Sequence, residues 1–224
     1  MHIPEHWGIH MDDNRQAFCE ALASAVSSRT GPQPFRYVEI GVAKGGTLAA
    51  MCEAMDAYPD LHWTAMGLDI PAKDRTGYFR EKATKQTVGA WLSGIYPDLE
   101  SIKPLERRGW AAIVLRPSFE VLPTLEPPLD FLFIDGCHGY NCVRRDFELA
   151  EPLLRVGSVV AFHDTNPRAQ GWHQQAHCQT GIEVRRFLMD VGLLDNSRPG
   201  FVKTHETGER ARMGGAVIVQ KIHG

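Results

Sequence analysis

The residues best suited to chemistry stand at the ends of short apolar runs. Phe131-Leu-Phe-Ile134 leads straight into Asp135 and, three residues later, into His138 of Asp135-Gly-Cys-His-Gly-Tyr140. Ser158-Val-Val-Ala-Phe162 leads likewise into His163-Asp164-Thr165, and Tyr37-Val-Glu-Ile40 into the turn Gly41-Val-Ala-Lys-Gly-Gly-Thr47. Apolar, β-prone runs of this length bounded by turn formers read as buried strands. An acid or imidazole at the end of such a strand is poorly placed for a core. It is well placed for a ligand, because open α/β sheets bind beyond the carboxyl ends of their strands. Two carboxylates from neighbouring strand ends suit a hard, oxygen-seeking cation such as Mg²⁺. Such a cation lowers the pKa of a bound hydroxyl, and His138 is the group positioned to take the proton. Singly, Asp135 and Asp164 also read as loop acids and His138 as a helix-capping imidazole; the combination carries the reading.

The other two candidates lie nearer the N-terminus. In the turn after Ile40, Gly41 leaves the strand where a Cβ would crowd the bend, and Gly45-Gly46 lets a ligand approach the backbone at the next helix. The spacing is neither G-x-G-x-x-G nor a P-loop. Glu39 is an acid inside an apolar strand, so local backbone amides or a cationic ligand are expected to offset its burial. Asp69 closes a second run, Trp63-Thr-Ala-Met-Gly-Leu68, and an acid at that point can take both hydroxyls of a ribose. A plain turn acid is the alternative.

These groups need a scaffold, and the rest of the chain supplies its pattern. Asp12 or Asp13 caps an expected helix to about Ser28, with Phe18, Leu22, Ala25 and Val26 on one stripe. Strands are expected over 35–40, 63–68, 111–115, 131–134 and 158–162, with helices after the glycine turn, at 119–125, at 142–154 (ended by Gly157) and at 182–191. A polar connection over 71–101, with a helix around 78–92, is longer than a crossover needs and reads as part of a lid. Runs at 201–206 and 216–221 read as a terminal antiparallel hairpin. The alternation predicts an α/β fold: a doubly wound, mostly parallel seven-stranded sheet ending in that hairpin.

With 224 residues, 43% hydrophobic and 23% charged, the chain suits one soluble domain, with a helical lead-in over 1–34 and a core over 35–222. A net charge of -3 lacks the basic footprint of nucleic-acid binders. Five cysteines without a C-x-x-C pair argue against a disulfide framework and for a reducing, cytoplasmic setting. No run approaches a membrane span, and the N-terminus lacks a secretory pattern. Trp172 and Tyr140 could wall a flat or sugar substrate. His173, His177 and Cys178 form a weak zinc pattern without an evident fourth ligand.

Together, Glu39-Ile-Gly-Val-Ala-Lys-Gly-Gly-Thr47 and Leu68-Asp69 resemble the first two motifs of class I S-adenosylmethionine-dependent methyltransferases. Phe131 to Tyr140 and Gly157-Ser-Val-Val-Ala-Phe-His-Asp-Thr165 resemble the small-molecule O-methyltransferases that include macrolide-sugar and rhamnosyl enzymes; the cephalosporin hydroxylase group is similar too. The resemblance covers roughly residues 35–222. It implies S-adenosylmethionine held by Glu39, Gly41, Ala43, Gly45, Gly46, Thr47, Asp69, Ser118 and Asp135, with Ser118 in the adenine region. It implies Mg²⁺ on Asp135 and Asp164, with Thr165 where catechol-type enzymes carry a ligating Asn. His138 is the implied general base, at the place where those enzymes have a lysine. The methyl acceptor is then a hydroxyl of a small molecule, a sugar or natural product, attacking the sulfonium methyl in line. Hydroxylation or N-methylation on the same fold, and a binding scaffold without chemistry, are the rival readings. The oligomeric state is left open.

Overall fold

The computed structural model describes residues 14–42, 46–70, 109–166, 182–208 and 214–223. The first helix, α1 (Arg15–Ser27), buries Phe18, Leu22 and Ala25, as its stripe predicts, and begins at Asn14 without a side-chain cap. Strand β1 (Phe35–Ile40) is followed by α2 (Gly46–Asp56), β2 (Trp63–Asp69) and β3 (Gly109–Leu115). A single helical turn, α3 (Ser118–Val121), precedes β4 (Leu129–Ile134), α4 (Tyr140–Ala150) and β5 (Leu154–His163). The chain closes with α5 (Ile182–Asp190), β6 (Phe201–Glu206) and β7 (Ala216–Lys221).

The seven strands form one sheet in the order β3-β2-β1-β4-β5-β7-β6. Strands β1 to β5 run parallel, and β7 pairs antiparallel with both β5 and β6. Residue alternation sorts the core into two layers. Tyr37, Phe131, Phe133, Val159 and Ala161 pack with α1 and α2. Val38, Leu132, Ile134, Val160 and Phe162 pack on the other face with α4 and α5. Burial on both faces explains why these strands read as continuous apolar runs.

Two expectations need correction. The helix expected over 142–154 stops at Ala150, because Pro152 removes an amide donor and leaves only a 3₁₀ turn over Glu151–Leu153. Gly157 therefore ends no helix: it lies inside β5 with φ +90°, where a Cβ would meet that of Ser28 at 2.5 Å. The Arg155 guanidinium, bonded to Asp130 and to the Ser28 carbonyl, fastens this stretch to the end of α1. The expected helix around 78–92 lies outside the described residues.

Candidate active site

Because β1 to β5 are parallel, their carboxyl ends share one edge. Strand order sets out Ser118, Asp69, Gly41, Asp135 and Asp164 in a row beyond β3, β2, β1, β4 and β5. Backbone bonds tie the middle of that row together: the Gly41 N–H donates to the Leu68 carbonyl at 2.8 Å, and the Asp135 N–H to the Ile40 carbonyl at 2.8 Å. The fit is close, since a Cβ on Gly41 would lie 2.2 Å from the Asp135 carbonyl oxygen, and Gly41 holds φ +89°.

At the centre, Asp135, His138 and Asp164 point ligand atoms at one another, all within 4.8 Å. His138 Nε2 lies 3.3 Å from Asp135 Oδ1 and 3.2 Å from Asp164 Oδ2. Asp164 sits at φ +51°, in the left-handed region that Asp tolerates better than most residues. The next residues hold it there: Thr165 and Asn166 donate their N–H groups to the carbonyls of Gly215 and Gly214, just before β7. Thr165 is buried, and the Asn166 amide donates to the Gly208 carbonyl at 2.7 Å.

His163 supports this cluster from the interior. It is buried, and its Nδ1 donates to Asp135 Oδ1 at 2.9 Å. Burial alone would lower its pKa, yet the Asp135 charge and hydrogen bond outweigh burial and push it up to about 9. Burial would raise Asp135, but the imidazoles of His163 and His138 hold its carboxyl well below the usual range. For His138, too, burial is outweighed: Asp135 and Asp164 raise its pKa.

Glu39 has a different partner from the backbone amides or cationic ligand expected of it. It is buried, and its Oε2 accepts the Tyr37 hydroxyl at 2.7 Å. Burial raises its pKa well above the usual range, against the Tyr37 hydrogen bond and reinforced by the Asp135 charge. The signal was in the sequence, since residues i and i+2 of a strand share a face.

Asp69 Oδ1 accepts the Ile70 N–H at 2.7 Å. Thr47 lies in the first turn of α2, and Gly46 opens that helix; Ala43 and Gly45 lie outside the described residues, as do Trp172, His173, His177 and Cys178. Ser118 Oγ donates to Asp146 Oδ1, a buried acid of α4 that sequence reasoning missed because 28 residues separate the pair.

Burial pushes Asp146 up to about 6, against the Ser118 hydrogen bond and the Arg145 charge. Folding therefore favours the neutral acid. The stability this confers is complete below the unfolded pKa near 4 and lost as pH rises through about 6. Asp146→Asn is expected to abolish that decline, making the protein more stable than wild type by up to about 3 kcal/mol at pH 8 and similar at pH 4. Urea melts at the two pH values check this; parallel pH profiles for both proteins would refute it.

The comparisons with known proteins agree with this architecture. The O-methyltransferase TomG of Streptomyces achromogenes, involved in tomaymycin synthesis and solved with SAM, is 20% identical with a TM-score of 0.54, over 93% of this chain and 80% of that one. The Bacillus cereus O-methyltransferase solved with SAH is 15% identical with a TM-score of 0.53, over 96% and 84%. A Sinorhizobium fredii protein, y4gI, is 31% identical over 143 residues, 62% of this chain; the chain spans 14% of that relative's length. Among the described residues, no helix is long and apolar enough to cross a membrane. Residues 38–165, more than half of the sequence, match the family described as the methyltransferase domain, and the chain belongs to that family.

Proposed function

We propose that this chain is an S-adenosylmethionine-dependent O-methyltransferase acting on a hydroxyl of a small molecule, a sugar or natural product. The observation that carries the reading is the His138 imidazole, seated between two carboxylates at neighbouring strand ends of a methyltransferase-family fold. The S-adenosyl ligands of TomG and the Bacillus cereus enzyme support the choice of cofactor.

The row along the sheet edge suits a cofactor laid across it. Asp69 takes the ribose hydroxyls, Gly41 and Thr47 flank the middle, and Ser118 meets the adenine. Asp135 lies where the cofactor meets the acceptor. Glu39 acts from beneath, as a neutral acid bonded to Tyr37.

The donor set fits a divalent cation, because two carboxylates facing one gap need positive charge between them. Asp135 and Asp164 would hold Mg²⁺, with Thr165 beside them. When bound, the cation would acidify the acceptor hydroxyl and offset the carboxylates that raise the His138 pKa. His138 then accepts the hydroxyl proton at Nε2, while His163 keeps Asp135 from rotating away.

Calorimetric titration of chelator-treated protein with S-adenosylhomocysteine, with and without Mg²⁺, tests the reading. Wild type is expected to bind at micromolar concentrations, and Asp69→Ala about 10-fold or more weakly. Unchanged affinity in that variant would remove Asp69 from the site, and no binding by wild type would favour the scaffold reading.

A further inference from the structure

The cofactor reading leaves one buried acid of this edge without a role. Neighbouring strands lie about 4.8 Å apart, so three strand spacings put Ser118 on the order of 14 Å from Asp135 along the edge. A cofactor with its sulfonium carbon at the Asp135–His138–Asp164 cluster and its ribose on Asp69 extends its base to the end of β3. There Ile70 and Leu115, at the ends of adjacent strands, expose apolar side chains (37% and 52%) suited to a flat ring.

The Ser118 hydroxyl at this end is not free to turn. Its proton is committed to Asp146 Oδ1, and Asp146 is 6% exposed on the inward stripe of α4 with Val143, Phe147 and Ala150. Above about pH 6 the Asp146 carboxylate is ionised, and a hydroxyl that donates to it has only lone pairs left to offer. It can accept from the exocyclic amino group of adenine and has nothing to give a carbonyl at that position. We propose that Asp146 is a positioning residue that fixes Ser118 as a hydrogen-bond acceptor and so makes the cofactor site select a 6-aminopurine over a 6-oxopurine. The proposal rests on the S-adenosyl reading above.

The test compares calorimetric affinities at pH 8 for S-adenosylhomocysteine and its deaminated analogue, in which an oxo group replaces the 6-amino group. Wild type is expected to prefer the amino compound by about 10–100-fold, since a site built to pair with a donor rejects an analogue lacking it. Ser118→Ala and Asp146→Ala should each reduce that ratio to about threefold or less. Asp146→Asn, whose amide oxygen can accept the same proton, should stay within about threefold of wild type. A merely structural role for Asp146 would weaken both ligands together and leave the ratio alone.

An unchanged ratio in Ser118→Ala or in folded Asp146→Ala overturns the proposal, as does a wild type that binds both compounds equally. Should Asp146→Ala fail to fold, Ser118→Ala decides the matter, because Ser118 is half-exposed on a single helical turn. If wild type binds neither compound, the cofactor reading itself fails and this proposal falls with it.

Discussion

Replacing His138 with alanine is expected to lower turnover by about 10²–10⁴-fold while leaving S-adenosylhomocysteine affinity within about threefold of wild type. The imidazole faces Asp135 and Asp164, and in the proposed mechanism its Nε2, set between the two acids, accepts the hydroxyl proton. Alanine removes that acceptor and leaves Asp69, Ser118 and the glycine turn untouched. Asparagine or glutamine at 138 is not expected to restore the rate, because an amide cannot take up a proton near neutral pH. Single-turnover rates beside calorimetric affinities separate the two effects. A variant that lost cofactor binding along with turnover would remove His138 from the role of base.

Gly41→Ala is expected to give the largest loss of stability from a single methyl group. Gly41 holds φ +89°, which costs any residue with a Cβ of the order of 1 kcal/mol or more. The added atom would also sit 2.2 Å from the Asp135 carbonyl oxygen and 2.7 Å from the Gly136 Cα. Both are backbone atoms, so no rotamer relieves the overlap. The strand ends of β1 and β4 must separate, which breaks the Asp135 N–H bond to Ile40. The combined cost is about 4 kcal/mol or more, lowering Tm by about 8–16 °C in a chain of this size. A calorimetric scan measures it, and a Tm within about 3 °C of wild type would show that the contact relaxes without cost.

Much of this architecture was legible in the sequence where local signals agreed. Phe35 to Ile40 and the two hairpin strands were read to the residue, since apolar character and flanking turn formers mark the same boundaries. The carboxyl-edge placement of Asp135, His138 and Asp164 followed from the strands that end in them. The start of β5 was misplaced because Leu153 and Leu154 extend the apolar spacing of α4, and Gly157 resembles a helix stop. Only the packing of Gly157 against Ser28 reveals its purpose. The Ser118–Asp146 pair could not be foreseen: its two halves look like an ordinary helix start and an ordinary helix acid, and only the tertiary fold introduces them. The Tyr37–Glu39 bond is legible in the strand pattern, since residues two apart share a face.

The backbone bonds from Thr165 and Asn166 to Gly215 and Gly214 have a consequence for how this chain tolerates change. The C-terminal hairpin contributes none of the groups that carry the proposed chemistry, yet it works as a splint for the segment that presents Asp164. Wear at the tail of the sequence is therefore felt at its centre. A change that shifts the Gly214 and Gly215 carbonyls would blunt the site with every residue of the carboxyl edge still in place.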